Sequence, residues 1–254
     1  MNEGEAIKFR YFNILDRQLK KFFLKQNLKI VENFDAKYDE FKKNIIRIID
    51  EDKPEAEKIL RNIYTELMRN YGLWQFNELT GSITGFNPTT TEIIKSIRAM
   101  AQEQADVITE SSKHLISVIA KNAIDQGWTI DQTSNLVKEK ITGLAKYRAK
   151  RIARFELIGG ANHASLKSAE QVSGKVQKYW IYTHDSRVRP THKQAGIKYN
   201  NKNPIDLDKK FKVGNAELMY PADRNGDKKE IFGCRCTIGY TRKKEDSKNV
   251  NKNS

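Results

Sequence analysis

Apolar side chains in the first half of the chain recur at three- and four-residue steps. One such stripe lies near the N-terminus, at Phe9, Phe12, Leu15, Leu19, Phe22 and Phe23. This period places apolar side chains on one face of a helix. The same period predicts a second helix from Phe34 to Ile48 and a third from Ile59 to Tyr71. The N-terminal part is therefore predicted to be helical.

Turn-forming residues predict where these helices end. The charged run from Asp50 to Pro54 is predicted to separate the second helix from the third, because proline suits the first turn of a helix. Gly72 is placed to end the third helix in a left-handed conformation. Residues 80–88 are rich in Gly, Ser, Thr, Asn and Pro, which indicates a boundary.

The central segment predicts further helices. Thr89 and Glu92 have the spacing of a capping box, and a long helix should follow and stop at Gly127. Thr129 and Gln132 have the same spacing and should open a short helix.

A glycine interrupts the next helical stretch, and a glycine pair follows it. Gly143 is predicted to break the helix, and a further helix should run from about Leu144 to Val172. The pair Gly159-Gly160 inside that helix costs roughly 1 kcal/mol per glycine relative to alanine. It therefore predicts a kink or a close packing contact.

The pattern changes to alternation after Lys175. Val176, Lys178, Trp180 and Tyr182 should share one face of a strand. Short strands are expected within residues 211–220 and 234–240. The predicted fold class is mainly α, with a long helical N-terminal part and a small, loop-rich α+β C-terminal module. The predicted regions are an N-terminal helical docking region, a second helical region, the module and a disordered basic tail, at residues 1–80, 89–172, 173–241 and 242–254.

Charge adds a class of partner to this picture. The chain has 46 Lys+Arg against 32 Asp+Glu, a net charge of +14, which attracts polyanions such as nucleic acid. Solubility alone is the simpler explanation. The candidate phosphate contacts lie in a basic helix and in the tail, at Lys146, Arg148, Lys150, Arg151, Lys243 and Lys244.

Targeting and redox signals are few. The polar N-terminus predicts no signal peptide, and no apolar run approaches the length of a membrane span. The two cysteines, Cys234 and Cys236, are too close for an unstrained mutual disulfide and too few for a disulfide framework. We expect synthesis and folding in a reducing cytoplasm, with no membrane contact.

An ordered set of motifs occupies roughly residues 130–240. An Arg-x-Glu at Arg154 and Glu156 precedes the strand, and an Asp-x-Arg-x-Arg-x-x-His segment and a closing Cys-x-Cys follow it. The matching positions are Asp185, Arg187, Arg189, His192, Gly196, Cys234 and Cys236. This set resembles the phage Mu F-like family of head-morphogenesis proteins. Phe155 and Gly233 depart from it, standing where many members have Thr and Asn.

The resemblance implies a structural role and no enzymatic activity. It implies a minor head protein inside the virion, acting in head morphogenesis, associated with the portal and inner capsid and in contact with packaged double-stranded DNA. The aromatic-rich helices before Gly72 are expected to dock on a virion partner. One alternative is a general, non-specific DNA-binding protein, and another is a metal-dependent nuclease using His184, Asp185 and His192.

The motif residues allow two chemical interpretations. Asp185, Arg187 and Arg189 are predicted to form a structural ion-pair network, because guanidinium groups pair with carboxylates in bidentate geometry. Arg154 and Glu156 could close the same network. Cys234 and Cys236 are predicted to be two small buried thiols without a cofactor. The alternative is a zinc site at His184, His192, Cys234 and Cys236.

Overall fold

The computed structural model describes residues 2–32 and 38–242. Among them, the chain is mainly α, with a small C-terminal module of short antiparallel strands, as the sequence predicted. The helices are α1 (Glu3–Glu32), α2 (Tyr38–Leu67), α3 (Leu73–Thr80), α4 (Thr91–Asp125), α5 (Ile130–Ala169), α6 (Pro190–Lys198) and α7 (Lys228–Ile231). The strands are β1 (Val176–Ile181), β2 (Ile205–Asp206), β3 (Phe211–Val213), β4 (Ala216–Leu218) and β5 (Thr237–Arg242).

The first compact unit is helical and comprises Met1–Arg69 and Thr89–Leu157. Helix α2 packs against both α1 and α4. One core cluster joins all three helices through Ile30, Ile45, Ile48, Ile49, Ile116 and Ile119. Burial of such side chains contributes roughly 1.5–3 kcal/mol each, so apolar packing is the main source of stability in this unit.

The aromatic stripe of α1 faces this interior. Of its predicted members, Leu15, Leu19, Phe22 and Phe23 are buried, Phe12 is half-buried and Phe9 is 59% exposed. The expectation that this stripe forms an exposed docking surface is therefore wrong. These side chains pack inside the unit, and docking of residues 1–80 on a virion partner stays a prediction.

Helix α2 does not break at the charged run. It continues through Pro54 as far as Leu67, so the predicted turn is absent. Tertiary contacts hold the run in helical form: Asp50 pairs with Lys113 at 2.7 Å, and Asp52 and Lys53 pair with Lys29 and Asp106. Packing and ion pairs offset the local preference of proline for a helix start.

Gly72 does not end a helix. Its backbone is right-handed helical, and a single π-helical turn, Met68–Gly72, leads directly into α3. The left-handed C-cap comes nine residues later, at Gly81 with φ 70°. Gly72 is needed for space instead, because a Cβ there would lie 2.7 Å from the Phe86 ring.

One predicted capping box is confirmed around α5. The backbone N–H of Gln132 donates to Thr129 Oγ1 at 3.2 Å, and the N–H of Thr129 donates to Gln132 Oε1 at 2.9 Å. Gly127, with φ 63°, follows the end of α4 as predicted. Gly143 does not break the helix as predicted, since α5 is continuous from Ile130 to Ala169. A single glycine costs only about 1 kcal/mol, which a forty-residue helix tolerates.

The second compact unit comprises Asn70–Pro88 and the residues from Ile158 onwards. Its sheet has the antiparallel order β2-β1-β5, and β3 and β4 form a separate hairpin within the segment predicted to hold one strand. The predicted strand face is confirmed, because Val176, Lys178 and Trp180 are buried. Helix α6 packs against β1 and β3.

The compact units differ from the predicted regions. Residues 70–88 and 158–172 group with the C-terminal residues. Whether the regions 1–80, 89–172 and 173–241 fold separately stays a prediction, and the tail beyond 242 lies outside the described residues. No helix in the described part of the chain is long and apolar enough to span a bilayer.

Candidate functional site

The segment that links β1 to α6 carries the acidic member of the motif. Asp185 accepts two hydrogen bonds from the guanidinium of Arg235, at 2.5 and 2.7 Å, and a third from the backbone N–H of Arg187 at 3.0 Å. The Arg235 guanidinium holds the pKa of Asp185 well below its usual range. An ion pair at Asp185 was predicted, but its bidentate partner, the middle residue of Cys-x-Cys, was not.

The two arginines of the motif differ from that prediction. The Arg187 side chain is 77% exposed and approaches Asp185 only at 3.4 Å. Arg189 donates to the backbone carbonyl of Phe232, just before the cysteines. Both line a small cavity of about 130 Å³. The network predicted at Asp185, Arg187 and Arg189 is therefore centred on Arg235, because tertiary contact brings the C-terminal loop to this segment.

His192, Cys234 and Cys236 form the chemical centre of the module. All three are buried, and their candidate ligand atoms lie within 4.8 Å of one another. His192 Nδ1 lies 3.3 Å from Cys236 Sγ and 3.7 Å from Cys234 Sγ. Both cysteines are free thiols. The sequence predicted this proximity only through the zinc alternative.

The other ring nitrogen of His192 faces a carboxylate. His192 Nε2 lies 3.1 Å from Glu230 Oε2, which also accepts a hydrogen bond from Thr191 Oγ1 at 2.8 Å. The edge of the imidazole ring packs against Trp180, with ring centroids 5.6 Å apart. Glu230 lies on α7 and had not been singled out from the sequence. Its place is set by tertiary structure, since 38 positions separate it from His192.

The pKa values of the two thiols are shifted in opposite directions. A hydrogen bond from Cys234 lowers the pKa of Cys236 to about 5, and His192 adds to this shift. The same thiol–thiol interaction, together with burial, raises the pKa of Cys234 well above its usual value. Without a metal, the pair therefore favours one thiolate stabilised by its neighbours.

His184 does not join the cluster formed by the described residues. Its exposed ring lies against Tyr182 instead, with centroids 4.2 Å apart. The four-residue zinc set of the sequence is thereby corrected to three, because His184 precedes the turn that leads into α6. The Asp185 carboxylate is bound by Arg235, so the nuclease grouping of His184, Asp185 and His192 is not assembled either.

Asn162 is a site residue that the sequence did not reveal. Its buried side-chain amide donates to the carbonyls of Pro221 and Cys236, at 2.9 and 3.2 Å. Its carbonyl accepts from Thr237 Oγ1 and from the backbone N–H of Ile238, both at 3.2 Å. One side chain thus links α5 to the loop after β4 and to the residues around the second cysteine.

Gly196 of the motif and Gly233, which departs from it, can each be explained by steric space or backbone conformation. A Cβ on Gly196 would lie 2.2 Å from the Tyr182 ring, so this position must stay small. Gly233 has φ 69°, a conformation that glycine and asparagine adopt most readily. The departure from Asn at this position therefore preserves the backbone turn. Gly159 has the predicted close contact, since its Cβ would lie 3.2 Å from the Ala222 carbonyl oxygen.

Arg154 and Glu156 lie in the helical unit and face different surroundings. Arg154 is exposed, whereas Glu156 is fully buried and accepts a hydrogen bond from the Tyr64 hydroxyl of α2. The carboxylate therefore ties α5 to α2. A clasp between these residues and the Asp185 segment stays a prediction.

The basic stretch in the middle of α5 forms part of an exposed surface. Lys146, Lys150 and Arg151 are exposed. Arg148 is corrected: its guanidinium donates to the hydroxyls of Ser111 and Ser112 at 2.9 Å and lies over the Phe23 ring. Burial lowers the pKa of Arg148 to about 10. Its guanidinium therefore contacts other residues of the helical unit instead of standing free at the surface. Lys243 and Lys244 lie outside the described residues.

A comparison with known families accounts for the ordered motifs. The family model described as Phage Mu protein F like protein matches residues 114–239, which include every motif position above. By this region the chain belongs to the phage Mu F-like family. Membership points to a phage head protein with a structural role in head morphogenesis. No curated protein and no solved structure matches the chain.

Proposed function

We propose that this protein is a minor head protein of a tailed bacteriophage, located inside the virion, that acts in head morphogenesis at the portal and inner capsid. The single observation that carries the proposal is the family match over residues 114–239. The site is consistent with a structural role, because the Asp185 carboxylate and the Asn162 amide are engaged in fold-stabilising hydrogen bonds.

Incorporation into proheads tests this proposal. The chain would be co-expressed with the portal and capsid proteins of its phage, and proheads would be isolated by sedimentation. We expect it to sediment with proheads that contain portal and to be absent from those assembled without portal. Equal amounts in both would contradict a portal association, and absence from both would contradict a role in the head.

Contact with packaged DNA is the second part of the proposal. Lys146, Lys150 and Arg154 are exposed and spaced by four residues on α5, which places them along one face of the helix. Arg151 lies beside them, over the half-exposed Tyr147 ring. Such a row suits backbone phosphates and carries no base readout. The overall charge of +14 favours the same partner.

A salt titration of binding to mixed-sequence duplex DNA tests this contact. Binding should weaken linearly in log salt, by about 0.9 per phosphate neutralised. The double variant Lys146→Glu/Lys150→Glu should have a slope shallower by about 1.8 if each lysine neutralises one phosphate. Lys58→Glu/Arg61→Glu, an exposed pair on α2 with the same change in charge, is the matched control. Equal effects of the two pairs would show that only net charge matters.

A further inference from the structure

We propose that His192, Cys234 and Cys236 bind one zinc ion, and that the ion joins α6 to the segment before β5. This inference does not depend on the proposed function in the phage head. It replaces the expectation that the two thiols only pack at the end of the sheet, and it removes His184 from the set of ligands.

The distances from His192 Nδ1 to the two sulfur atoms fit a tetrahedral ion. With zinc–sulfur and zinc–nitrogen bonds of about 2.3 and 2.05 Å at a tetrahedral angle, sulfur and nitrogen lie roughly 3.6 Å apart. The observed separations from His192 Nδ1 are 3.3 Å to Cys236 Sγ and 3.7 Å to Cys234 Sγ. The two nitrogen–sulfur separations are therefore within a few tenths of an ångström of those that an ion would impose.

A supporting contact on the far side of His192 strengthens the assignment. Metal-bound histidines usually donate their second ring N–H to a carboxylate, which fixes the tautomer and the ring orientation. Glu230 Oε2 stands at 3.1 Å from His192 Nε2, and Thr191 Oγ1 donates to the same oxygen. A proton on Nε2 directed at this carboxylate would leave Nδ1 available to a metal, and Nδ1 faces both thiols. Two thiols that merely pack would not require an oriented imidazole.

The donor chemistry selects the ion, and the surroundings allow a fourth ligand. Thiolate and imidazole suit zinc, whereas Mg²⁺ and Ca²⁺ prefer oxygen. Two cysteines and one histidine leave one tetrahedral position. The small cavity that reaches all three donors is also lined by Thr183, Arg187 and Arg189. We assign the fourth position to a water molecule in this cavity.

The bound ion would connect distant parts of the chain. His192 lies in the first turn of α6, 42 residues before Cys234, and Glu230 lies on the short α7 just before the cysteines. Between His192 and Cys234 the chain forms the rest of α6, the short strands β2, β3 and β4, and α7, joined by loops. A metal that closes a long loop stabilises mainly by restricting the unfolded chain.

Cobalt substitution in the full-length protein tests the site directly. The protein would be stripped with a chelator under reducing conditions and titrated with Co²⁺, then with Zn²⁺. We expect intense thiolate-to-cobalt charge-transfer bands and tetrahedral d–d bands that saturate at one equivalent, and zinc should abolish both. Saturation without thiolate bands, or no saturable binding, would overturn the proposal.

Matched variants identify the ligands. His184→Gln should bind like the wild type, whereas Cys234→Ser and Cys236→Ser should each lose a large part of the charge-transfer intensity. Glu230→Gln should keep the spectrum but weaken affinity by about 10–100-fold, as expected for a residue that positions a ligand. Unchanged spectra in both cysteine variants would refute the assignment.

A measurement on the unaltered chain covers the case in which a cysteine variant does not fold. Because both thiols are buried, alkylation would be followed in moderate denaturant, where saturating zinc should protect both thiols and a chelator should restore the reaction. Equal alkylation with and without zinc would count against the site.

Discussion

The two compact units of this protein are stabilised by different means. The helical unit has an apolar interior in which isoleucine, leucine and phenylalanine side chains from three helices pack together. The C-terminal unit has short strands and an apolar cluster around Phe76, Val172 and Val176. It depends in addition on particular polar contacts, such as the four hydrogen bonds of Asn162 and the bidentate pair of Asp185 with Arg235. It also depends on close approaches at Gly159 and Gly196.

This difference determines how each unit should respond to substitution. Apolar packing is spread over many side chains and is roughly proportional to the area buried. A polar cross-link depends on one residue with a fixed set of donors and acceptors, and its loss leaves buried partners unsatisfied. We therefore expect the C-terminal unit to be sensitive at a few polar or glycine positions, and the helical unit at its large apolar positions.

The largest effect is expected at Asn162. Asn162→Leu keeps a similar volume but leaves the Pro221 and Cys236 carbonyls and the Ile238 N–H without this partner. At 1–3 kcal/mol for each buried group, the loss should be roughly 4 kcal/mol. Denaturant unfolding followed by tryptophan fluorescence would measure it. Asn13→Leu, at an exposed position of α1, is the control and should change the free energy of unfolding by less than about 0.5 kcal/mol. Similar values for both would contradict the importance of the cross-link.

The second-largest effect is expected from truncating a buried side chain in the helical unit. Leu19 is fully buried, and Leu19→Ala should lower the free energy of unfolding by about 3 kcal/mol through lost burial and a residual cavity. Phe9→Ala removes a larger side chain from the same helix, but Phe9 is 59% exposed, so its effect should be small. Thermal unfolding by circular dichroism compares the two. A larger loss for Phe9→Ala would show that the exposed end of α1 contributes more than the interior.

Gly196 should give a smaller effect of a kind specific to the C-terminal unit. Alanine usually stabilises a helix relative to glycine, but here its Cβ would lie 2.2 Å from the Tyr182 ring. Gly196→Ala should therefore destabilise by about 1–2 kcal/mol. In a Tyr182→Leu background the same change should cost less or become favourable, which a double-mutant cycle would show. An additive cycle would mean that the ring moves aside at no cost.

The smallest effect is expected in the dependence of the free energy of unfolding on pH at the Asp185–Arg235 pair. Because Arg235 lowers the pKa of Asp185 in the folded state, the carboxylate stabilises the fold above its unfolded pKa of about 3.9. That contribution is lost as pH falls below this value toward the lower folded pKa. Asp185→Asn should be less stable at neutral pH and show a flatter decline in acid. Asp208→Asn, an exposed position in the same unit, should retain the wild-type profile, and identical profiles for both variants would contradict the role of the pair.

Local sequence determined the main helical character, the strand face of Val176, Lys178 and Trp180, and the capping box of Thr129 and Gln132. These features depend on periodicity and on hydrogen bonds between residues close in the chain, so they can be predicted without tertiary contacts. The ordered motif was likewise sufficient to indicate the family.

Tertiary structure decided the features that depend on distant partners. Pro54 lies within a helix because α1 and α4 hold its charged neighbours, and Gly72 makes room for Phe86 rather than ending a helix. Arg148 points inward because α4 supplies hydroxyl partners. The site follows the same rule: His192 meets Cys234 and Cys236 across about forty residues, while His184, equally plausible from its spacing, does not. Sequence proximity limits which residues can meet, but only the packing of α6 and the loop before β5 fixes which donor atoms face one another.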